Sequence, residues 1–514
     1  MAKAKSKADA NSKAKAKAKP KKVKDVEIEI EVAEKTKGKA KKSKAEKAAD
    51  KTFDPYAGYN DVLDSVARKL SDADTLDDVV PMSTGSLVLD YIEGGGVRPA
   101  WYTHFGPEQS AKTTGALLIM ASAIKHNVPI ISFRDFEGST GNSIPYVKSI
   151  LKTSGIKMSK EELFGKKDDK TGKWLVAPRV RYSSSTKGVS FFNWFVAVLR
   201  RLPDKKVLNG EWWLVYEDEK ENAHFKEHSD ATMPKKYGKG IYVKAPNGGL
   251  QGVVLVDSYP NMNPDSKDED NVDNSLALQA RMFSKNLPRV KGYLASKKVA
   301  VIGINQLRDV PMAMFGPKEA EPCGKALRYN SDVRLRFYPR ALSAIKLWPK
   351  EDKLKKGYEC ERSIDGGKDY YKYINVKAAK NKLSESDREG FLRLWTKDSQ
   401  GEAHGIDPVY DTMHYLRASG QLKGKGRQAL SLDWNQEHSK TMKTMTWDDF
   451  KLWILGSKDD MMKMSKKAGL PKPLNLRAGC FKQMASGKAE SFFSNEGKAT
   501  AKEDDDDSDS ASDE

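Results

Sequence analysis

Continuous apolar runs are the strongest pattern in this chain. Four of them are rich in β-branched or aromatic residues: Trp101–Phe105, Val128–Phe133, Gly252–Ser258 and Val299–Gln306. Such runs, which do not alternate with polar residues, are typical of strands buried on both faces of a parallel sheet. The Ala/Leu/Ile-rich run Ala116–Ile124 follows the first strand and predicts a helix. The pattern therefore favours an α/β fold with a mainly parallel, doubly wound sheet.

Weaker patterns predict further elements on both sides of these strands. Val26–Val32 alternates strictly between Glu and apolar residues, which predicts a strand that either adds to a neighbouring subunit's sheet or forms only transiently. Helices are predicted at Tyr59–Leu70 and Val189–Leu202, and strands within Val333–Phe337 and Tyr371–Leu383. Phe391–Trp395, Asp407–Leu416 and a helix at Trp447–Met464 are assigned to a small C-terminal domain of mixed α/β type.

Composition changes this picture at the two ends of the chain. The 514 residues carry a formal net charge of +19 with only 38% hydrophobic residues. The deficit lies in a Lys/Ala arm and a Ser/acidic tail, which cannot bury enough apolar surface to fold. The predicted organisation is a disordered arm (1–51), a helical segment (52–80), the α/β core (81–384) with a surface insertion at about 204–249, a small C-terminal domain (385–484) and a disordered acidic tail (485–514).

The opposite charges of the arm and the tail allow two interpretations. A basic arm can follow a phosphate backbone while an acidic tail competes for the same basic groups, or both tails only maintain solubility. The three cysteines lie far apart, and the longest apolar stretch is too short to span a bilayer. We therefore expect a soluble protein of a reducing cytoplasm, with neither a disulfide framework nor a cysteine zinc site.

A candidate phosphate-binding loop joins the first predicted strand to the first predicted helix. Its sequence, GPEQSAKTT, is close to the pattern G-x-x-x-x-G-K-[ST], in which backbone N–H groups hold a polyphosphate, the lysine reaches the β- and γ-phosphates and the hydroxyl ligates Mg²⁺. Nucleotide binding is predicted for Gly106, Pro107, Glu108, Gln109, Ser110, Ala111, Lys112, Thr113 and Thr114. Ala111 replaces the second glycine, at a cost of about 1–2 kcal/mol if it adopts a positive φ.

The approach to this loop and the strands after it resemble the RecA recombinase family. The family carries a similar STGS-L-LD segment, found here within Pro81–Asp90, a Gly-rich approach and a GPE-S-KTT loop. The resemblance covers roughly residues 81–147 and 250–384. It implies a RecA-type ATPase core that uses ATP and Mg²⁺ and forms helical filaments on single-stranded DNA.

The resemblance also assigns residues around the nucleotide. Glu137, which follows the second strand, would orient and activate the water that attacks the γ-phosphate, with Asp135 as the competing choice. Asp257 has the Walker B position and would hold Mg²⁺ together with Thr113. Tyr146 either stacks on the adenine or simply packs in the core.

Three further catalytic residues are assigned by the same resemblance. Gln306 would sense the γ-phosphate and couple it to a DNA-binding loop. Lys380 and Lys382 match a K-N-K motif whose lysines reach the nucleotide of the adjacent subunit, as an arginine finger does. The alternative for these lysines is a basic strand end in solvent.

DNA contacts are predicted on a helix and on the loop after Gln306. Arg281 matches a family arginine on the DNA-facing side, with a surface salt bridge as the alternative. The segment 307–328 resembles the family's M-F-G and G-G-N-A-L-K-F stretch, although a hinge packed on its own domain is also possible. Met312, Met314 and Phe315 would insert between bases, and Arg308, Lys318, Lys325 and Arg328 would contact phosphates.

The sequence therefore predicts an ATP-dependent recombinase that pairs single-stranded DNA with a homologous duplex. Its partners would include a single-strand-binding or loader protein, with no membrane. The long tails, the insertion and Ala111 resemble phage-encoded members more than cellular ones. A RecA-fold hexameric helicase and a non-hydrolysing DNA-coating or annealing protein are the alternatives.

Overall fold

The computed structural model describes residues 79–138, 144–230, 237–264, 275–309, 319–339, 359–362, 367–397, 405–424, 429–436 and 443–493. The helices are α1 (Leu87–Glu93), α2 (Lys112–Lys125), α3 (Ile144–Thr153), α4 (Lys160–Phe164), α5 (Gly188–Arg201), α6 (Ser275–Leu294), α7 (Gly324–Asn330), α8 (Pro408–Ala418), α9 (Trp447–Leu455), α10 (Lys458–Lys467) and α11 (Leu476–Ala485). The predicted arm, the strand Val26–Val32, the helix Tyr59–Leu70 and the acidic end from residue 494 lie outside the described residues.

The strands form one large sheet and several small ones. They are β1 (Trp101–Gly106), β2 (Ile130–Asp135), β3 (Lys166–Lys167), β4 (Trp174–Val176), β5 (Arg181–Ser184), β6 (Asp204–Leu208), β7 (Glu211–Tyr216), β8 (Ile241–Lys244), β9 (Gly252–Asp257), β10 (Val299–Gln306), β11 (Arg308–Asp309), β12 (Glu319–Ala320), β13 (Val333–Pro339), β14 (Glu359–Arg362), β15 (Lys368–Asn381), β16 (Glu389–Lys397), β17 (Gly405–Ile406), β18 (Leu422–Lys423) and β19 (Ser431–Leu432).

The large sheet confirms the predicted α/β class with a mainly parallel sheet. It has ten strands in the order β17-β16-β15-β13-β1-β10-β9-β2-β5, with β14 also paired to β15. The strands from β13 to β5 run parallel, and β14 to β17 add antiparallel strands beside β13. The carboxyl ends of the parallel strands therefore meet at one edge, where ligands bind in folds of this class.

Alternate residues of the central strands face two different helical layers. Tyr102 and Ile302 pack into a core with α1, α2 and α3. Their sequence neighbours Trp101 and Val301 pack into a second core with α5 and α6. Since both faces of each strand are buried, its sequence needs apolar residues at nearly every position, which explains the continuous runs.

The prediction of one helix over Trp447–Met464 is wrong. α9 ends at Leu455, Gly456 is extended (φ −74°, ψ −176°) and α10 begins after Ser457. The Ser457 side chain accepts from the Asp460 N–H, and the Asp460 side chain accepts from the Ser457 N–H. This capping box stabilises a new helix start, and Gly456 has little helix propensity to oppose the break.

Residues 204–249, predicted to be a surface insertion, include a separate three-stranded antiparallel sheet, β6-β7-β8. Trp213, Val215 and Tyr242 form its small apolar core. The Lys205 N–H donates to the Ser296 carbonyl oxygen at 2.9 Å, which joins β6 to the turn after α6.

The C-terminal helices α8 to α11 share a third apolar core. Asp411 on α8 accepts the Leu87 backbone N–H at 2.8 Å and an Arg477 N–H at 2.9 Å, so one carboxylate joins α1, α8 and α11. Arg393 and Asp407 form a second, fully buried ion pair at 2.6 Å. No helix within the described ranges has both the length and the apolar character needed to cross a bilayer.

Acid should destabilise the core through His104 on β1. This side chain is fully buried, its ring centroid 4.9 Å from that of Phe337, and burial lowers its pKa to about 4 against an opposing effect of the Lys112 backbone. Below pH 6.5 the unfolded chain binds a proton that the folded chain excludes. The free energy of unfolding should therefore fall by about 1.4 kcal/mol for each pH unit between 6.5 and 4. Urea unfolding at pH 7, 6 and 5 measures this slope. The His104→Leu variant should lose the part of the pH dependence that His104 contributes, and equal slopes in the variant and the wild type would contradict the prediction.

Candidate nucleotide-binding and DNA-binding site

The predicted phosphate-binding loop lies between β1 and α2, at the carboxyl edge of the sheet. Gly106 ends β1, and a Cβ at this position would lie 1.9 Å from the Phe337 carbonyl oxygen, so only glycine fits. Gln109 and Ala111 both adopt left-handed backbone conformations, with φ of 55° and 65°. Ala111 therefore occupies a strained conformation that a glycine at this motif position would adopt without a Cβ clash.

Ala111→Gly should stabilise the protein. Removing the Cβ relieves about 1–2 kcal/mol of strain from the left-handed backbone conformation. Glycine is also more flexible than alanine in the unfolded chain, which lowers the free energy of unfolding by about 0.4–1 kcal/mol and offsets part of this stabilisation. The free energy of unfolding should rise by about 0.5–1 kcal/mol in a denaturant titration. Ala116→Gly, inside α2, is the control and should lower it by about 1 kcal/mol. Equal losses in both variants would show that Ala111 is not strained.

Lys112, the first residue of α2, is turned back onto its own loop. Its Nζ donates to the Pro107 carbonyl oxygen and, at 3.3 Å, to Ser110 Oγ. Burial lowers the pKa of Lys112, although the carboxylates of Asp257, Glu108 and Glu137 act in the opposite direction. A cation held by a carbonyl and a hydroxyl in a partly dehydrated loop can exchange these contacts for phosphate oxygens.

Asp257 at the end of β9 provides the fit for a divalent cation. Its Oδ2 accepts the Thr113 hydroxyl at 3.1 Å, and its Oδ1 is buried with no hydrogen-bond partner in the described part of the chain. Burial first, and then the charge of Glu137, raises the pKa of Asp257 to about 7. Mg²⁺ prefers carboxylate and hydroxyl oxygens and usually keeps waters and phosphates as its other ligands. The described residues include no cluster of three His, Cys, Asp or Glu side chains that could hold a metal ion.

The two candidate bases at the end of β2 have different environments. Asp135 is buried; its Oδ1 accepts the Gly138 N–H at 2.7 Å and its Oδ2 accepts the Tyr182 hydroxyl at 2.8 Å. Glu137 has an exposed side chain, and its backbone N–H donates to the Asp257 carbonyl oxygen at 3.1 Å. The carboxylate of Asp135 is thus engaged in local structure, which favours Glu137 as the group available to a water molecule.

Tyr146 on α3 shares a hydrogen bond with Thr114 on α2, at 2.7 Å between the hydroxyl oxygens. Its ring is half-buried and packs against the core that contains α2 and α3. Burial raises the pKa of its hydroxyl. The residue holds α3 against the phosphate-binding loop, and its contact with adenine remains a prediction.

Gln306 at the end of β10 is paired in register with Gly106, the first residue of the loop. The next residue, Leu307, donates its N–H to the Gly106 carbonyl oxygen at 3.2 Å. β11 and β12 then pair Arg308 with Ala320. The DNA-binding segment predicted from sequence therefore begins at a short antiparallel stem next to the phosphate-binding loop and ends within α7. Met312, Met314, Phe315 and Lys318 lie outside the described residues.

Glu321, which no sequence motif indicates, directly follows β12 and connects this stem to β13. It pairs with Arg334 on β13, accepts from Asn305 Nδ2 at 3.4 Å and lies 3.8 Å from Arg328 Nε. Arg328 thus has a carboxylate neighbour within its own chain. Arg281, Arg308 and Lys325 have exposed side chains.

Lys380 and Lys382 lie away from the loop of their own chain. β15 runs antiparallel to β13, and Lys380 is opposite Arg334, which is paired with Thr103 in the middle of β1. The backbone N–H of Lys382 donates to the carbonyl oxygen of Asp332 at 3.0 Å, and Asp332 directly precedes β13. These lysines are therefore near the amino ends of the parallel strands, whereas the phosphate-binding loop is at the carboxyl ends. Lys380 Nζ donates to the carbonyl oxygens of Arg328 and Tyr329 at 3.0 and 2.9 Å.

A different residue of β15 reaches the loop of its own chain. Lys372 Nζ donates to the Gln109 carbonyl oxygen at 3.3 Å, and burial lowers the pKa of this lysine. No motif covers Lys372, and its place near the start of a predicted strand is the only sequence feature that points to it.

Comparisons with known proteins point to one family. Residues 242–353 match the family model described as the RecA N-terminal domain. This match includes β9, β10 and β13 but not the phosphate-binding loop, whose interpretation depends on its geometry. The chain is similar to Protein RecA of Thermus aquaticus, with 30% identity over 179 residues, which are 35% of this chain and 45% of the relative.

Two other RecA proteins give similar values. The identity is 34% over 200 residues to Protein RecA of Symbiobacterium thermophilum, covering 37% of this chain and 51% of the relative. It is 33% over 182 residues to Protein RecA of Aquifex aeolicus, covering 32% of this chain and 47% of the relative. The chain thus spans about half the length of the curated relatives it matches. These matches support a RecA-family protein, and the large, mostly parallel sheet is consistent with a RecA-type core.

Proposed function

We propose that this chain is an ATP-dependent DNA recombinase, which assembles on single-stranded DNA and exchanges that strand with a homologous duplex in recombination and repair. The observation that carries the proposal is the bond between the Leu307 N–H and the Gly106 carbonyl oxygen, with Gln306 beside Gly106. It makes the first residue of the DNA-binding segment a direct neighbour of the first residue of the phosphate-binding loop. Occupancy of the loop can therefore change how the segment is held.

On the nucleotide side, the loop backbone would hold the phosphates. Lys112 Nζ would leave Pro107 and Ser110 to contact phosphate oxygens, and Thr113 and Asp257 would hold Mg²⁺. When bound, Mg²⁺ supplies positive charge that offsets the negative charge of the phosphates. Glu137 would accept a hydrogen bond from the attacking water and take its proton as the water oxygen bonds to the γ-phosphorus and the bond from that phosphorus to the leaving ADP oxygen breaks.

Between subunits, Lys380 and Lys382 would contact the nucleotide held by a neighbouring copy. Their place near the amino ends of the strands, away from the loop of their own chain, supports this proposal. Hydrolysis would then require assembly, because each nucleotide needs groups from two copies.

On the DNA side, Gln306 would contact the γ-phosphate and order the segment 307–328 around single-stranded DNA. Arg308, Lys325 and Arg328 would contact phosphates, Met312, Met314 and Phe315 would separate bases, and Arg281 would lie on the same side. Base pairing rather than the protein would read homology. We further propose a cytoplasmic site of action, in an infected bacterial host if the chain is phage-encoded, with a single-strand-binding or loader protein as partner.

The decisive experiment images the protein on single-stranded DNA with a non-hydrolysable ATP analogue and measures ATP hydrolysis and strand exchange in parallel. We expect continuous helical filaments, hydrolysis stimulated by single-stranded DNA, and exchange that needs ATP. Closed rings with fork unwinding would instead identify a helicase. DNA binding without hydrolysis would identify a coating or annealing protein.

A further inference from the structure

A surface rich in lysine lies at the β5 end of the large sheet. It consists of α3, α4 and the hairpin β3–β4, and we refer to it as the lysine-rich surface. Its lysines are Lys148, Lys152, Lys157, Lys160, Lys166, Lys167, Lys170 and Lys173, and all of them have exposed side chains. The first four line one groove of about 1070 Å³, together with Tyr146, Met158 and other apolar or serine residues. None of the described residues that line this groove is acidic.

The acidic residues of the same segment are mostly engaged in local structure. Glu162 accepts the Ser159 N–H at 2.7 Å in the capping box of α4. Asp168 accepts two backbone N–H groups of the hairpin turn, at 2.8 and 2.7 Å. Glu161 pairs with Lys166 at 3.0 Å. Within the described ranges, Lys157, Lys160, Lys170 and Lys173 have no carboxylate within 4.0 Å, so no described side chain neutralises their charge.

The hairpin also exposes two large apolar side chains beside these cations. Trp174 is 50% exposed and Leu175 is 62% exposed, and Lys167 Nζ lies 4.7 Å from the centroid of the Trp174 ring. An exposed aromatic ring among unpaired lysines suits a ligand that offers both flat bases and phosphates.

We propose that the lysine-rich surface is a second nucleic-acid site, which holds the phosphate backbone without reading bases. It is distinct from the segment 307–328, because β2 and β9 separate β5 from β10 in the sheet. It adjoins the nucleotide site at Tyr146, the candidate adenine contact, which also lines the groove. The described residues of the groove lining include no Arg, Asn or Gln, the side chains that most often read base edges. The choice of DNA as the ligand rests on the proposed function.

The test replaces four unpaired lysines: Lys157→Gln, Lys160→Gln, Lys170→Gln and Lys173→Gln. The control variant carries Lys125→Gln, Lys220→Gln, Lys226→Gln and Lys239→Gln, exposed lysines elsewhere whose replacement changes the net charge equally. Fluorescence anisotropy with a labelled duplex and a labelled single strand, over a range of salt concentrations, gives the salt dependence of binding. Each assay is run with and without the ATP analogue.

The four lysines should account for part of the salt dependence. For the duplex, the slope of log K against log salt should be smaller by about 3 to 4 in the test variant, and affinity at 0.1 M salt should fall at least about tenfold. If the surface holds mainly single strands, the loss should appear with that probe instead, with a slope change of about 3. Trp174→Ala should then weaken single-strand binding about fivefold or more. ATP hydrolysis without DNA should stay at the wild-type rate.

Several results would overturn the inference. Equal slopes in the test and control variants would show that the lysines contribute only net charge. Unchanged DNA binding, with loss of binding to a peptide of residues 499–514, would assign the surface to the acidic tail. The wild type tests the proposed function separately. If its affinity for single-stranded DNA is the same with and without the ATP analogue, the recombinase proposal fails even where the lysine variant behaves as expected.

Discussion

Replacing Lys380 and Lys382 together with alanine should lower DNA-stimulated ATP hydrolysis by about 10³–10⁵-fold, the loss typical when a cation supplied by a neighbouring subunit is removed. The physical reason is that these lysines would stabilise charge on the nucleotide of the next copy. Binding of a fluorescent ATP analogue to the unassembled protein should stay close to wild type, because both lysines are remote from the loop of their own chain. Steady-state hydrolysis and nucleotide titration measure the two quantities.

Lys377→Ala is the matched control on the same strand. Its side chain pairs with Asp387 at 3.1 Å on an exposed surface, where such a pair contributes little. We expect near-normal hydrolysis. If the control and the double variant lose activity equally, the effect reports damage to β15 and not a lost contact between subunits.

A mixing experiment makes the test sharper. A copy with Lys112→Ala still provides Lys380 and Lys382, and a copy with the double substitution still provides Lys112. In an equimolar mixture, about one quarter of the junctions between copies would be complete, as expected for head-to-tail assembly with a heterologous interface. Partial recovery of hydrolysis is the expected result, and no recovery would contradict a site shared between subunits.

Lys112→Ala alone should lower hydrolysis by about 10²–10³-fold and abolish strand exchange, since it removes a positive charge that would lie on the transferred phosphoryl group. Lys112 is 7% exposed and held within the loop, and the loop sequence GPEQSAKTT contains no second lysine or arginine that could replace it. Lys125→Ala, at the exposed last turn of the same helix, is the control and should behave as wild type. Strand exchange that survives in Lys112→Ala would rule out the proposed use of ATP.

The sequence was most informative where strands are buried on both faces. β10 has the predicted bounds, Val299–Gln306, and β9 ends one residue before the predicted end. β2 starts at Ile130, two residues after the predicted start. Burial on both faces imposes one apolar requirement on every position, so the pattern is visible without knowledge of the fold.

Short elements were harder to predict, because a few residues carry little periodicity. The two-residue strands β3, β11 and β18 are defined by their pairing partners and not by their own sequence. The break at Gly456 was missed because apolar residues continue on both sides of it.

In the candidate site, the sequence allowed us to infer which strand ends lie close together, but not which side chains contact each other. Thr113 and Asp257 are 144 residues apart and still meet, because each belongs to a strand end or loop at the same edge. By contrast, the Lys372 contact with Gln109 and the position of Glu321 between Asn305 and Arg334 depend on how specific side chains pack. Such contacts follow no motif and become visible only in three dimensions.

β15 gives the proposed assembly a polarity. Near its start, Lys372 contacts the loop that would hold the nucleotide of its own chain, and near its end are the two lysines proposed to contact the nucleotide of the next chain. Eight residues of strand cover about 26 Å, so one strand, with a β-bulge at Ala379, would join consecutive nucleotides. Binding or hydrolysis of the nucleotide in one copy would then affect only one of its two neighbours. Hydrolysis would therefore spread along the polymer in a single direction.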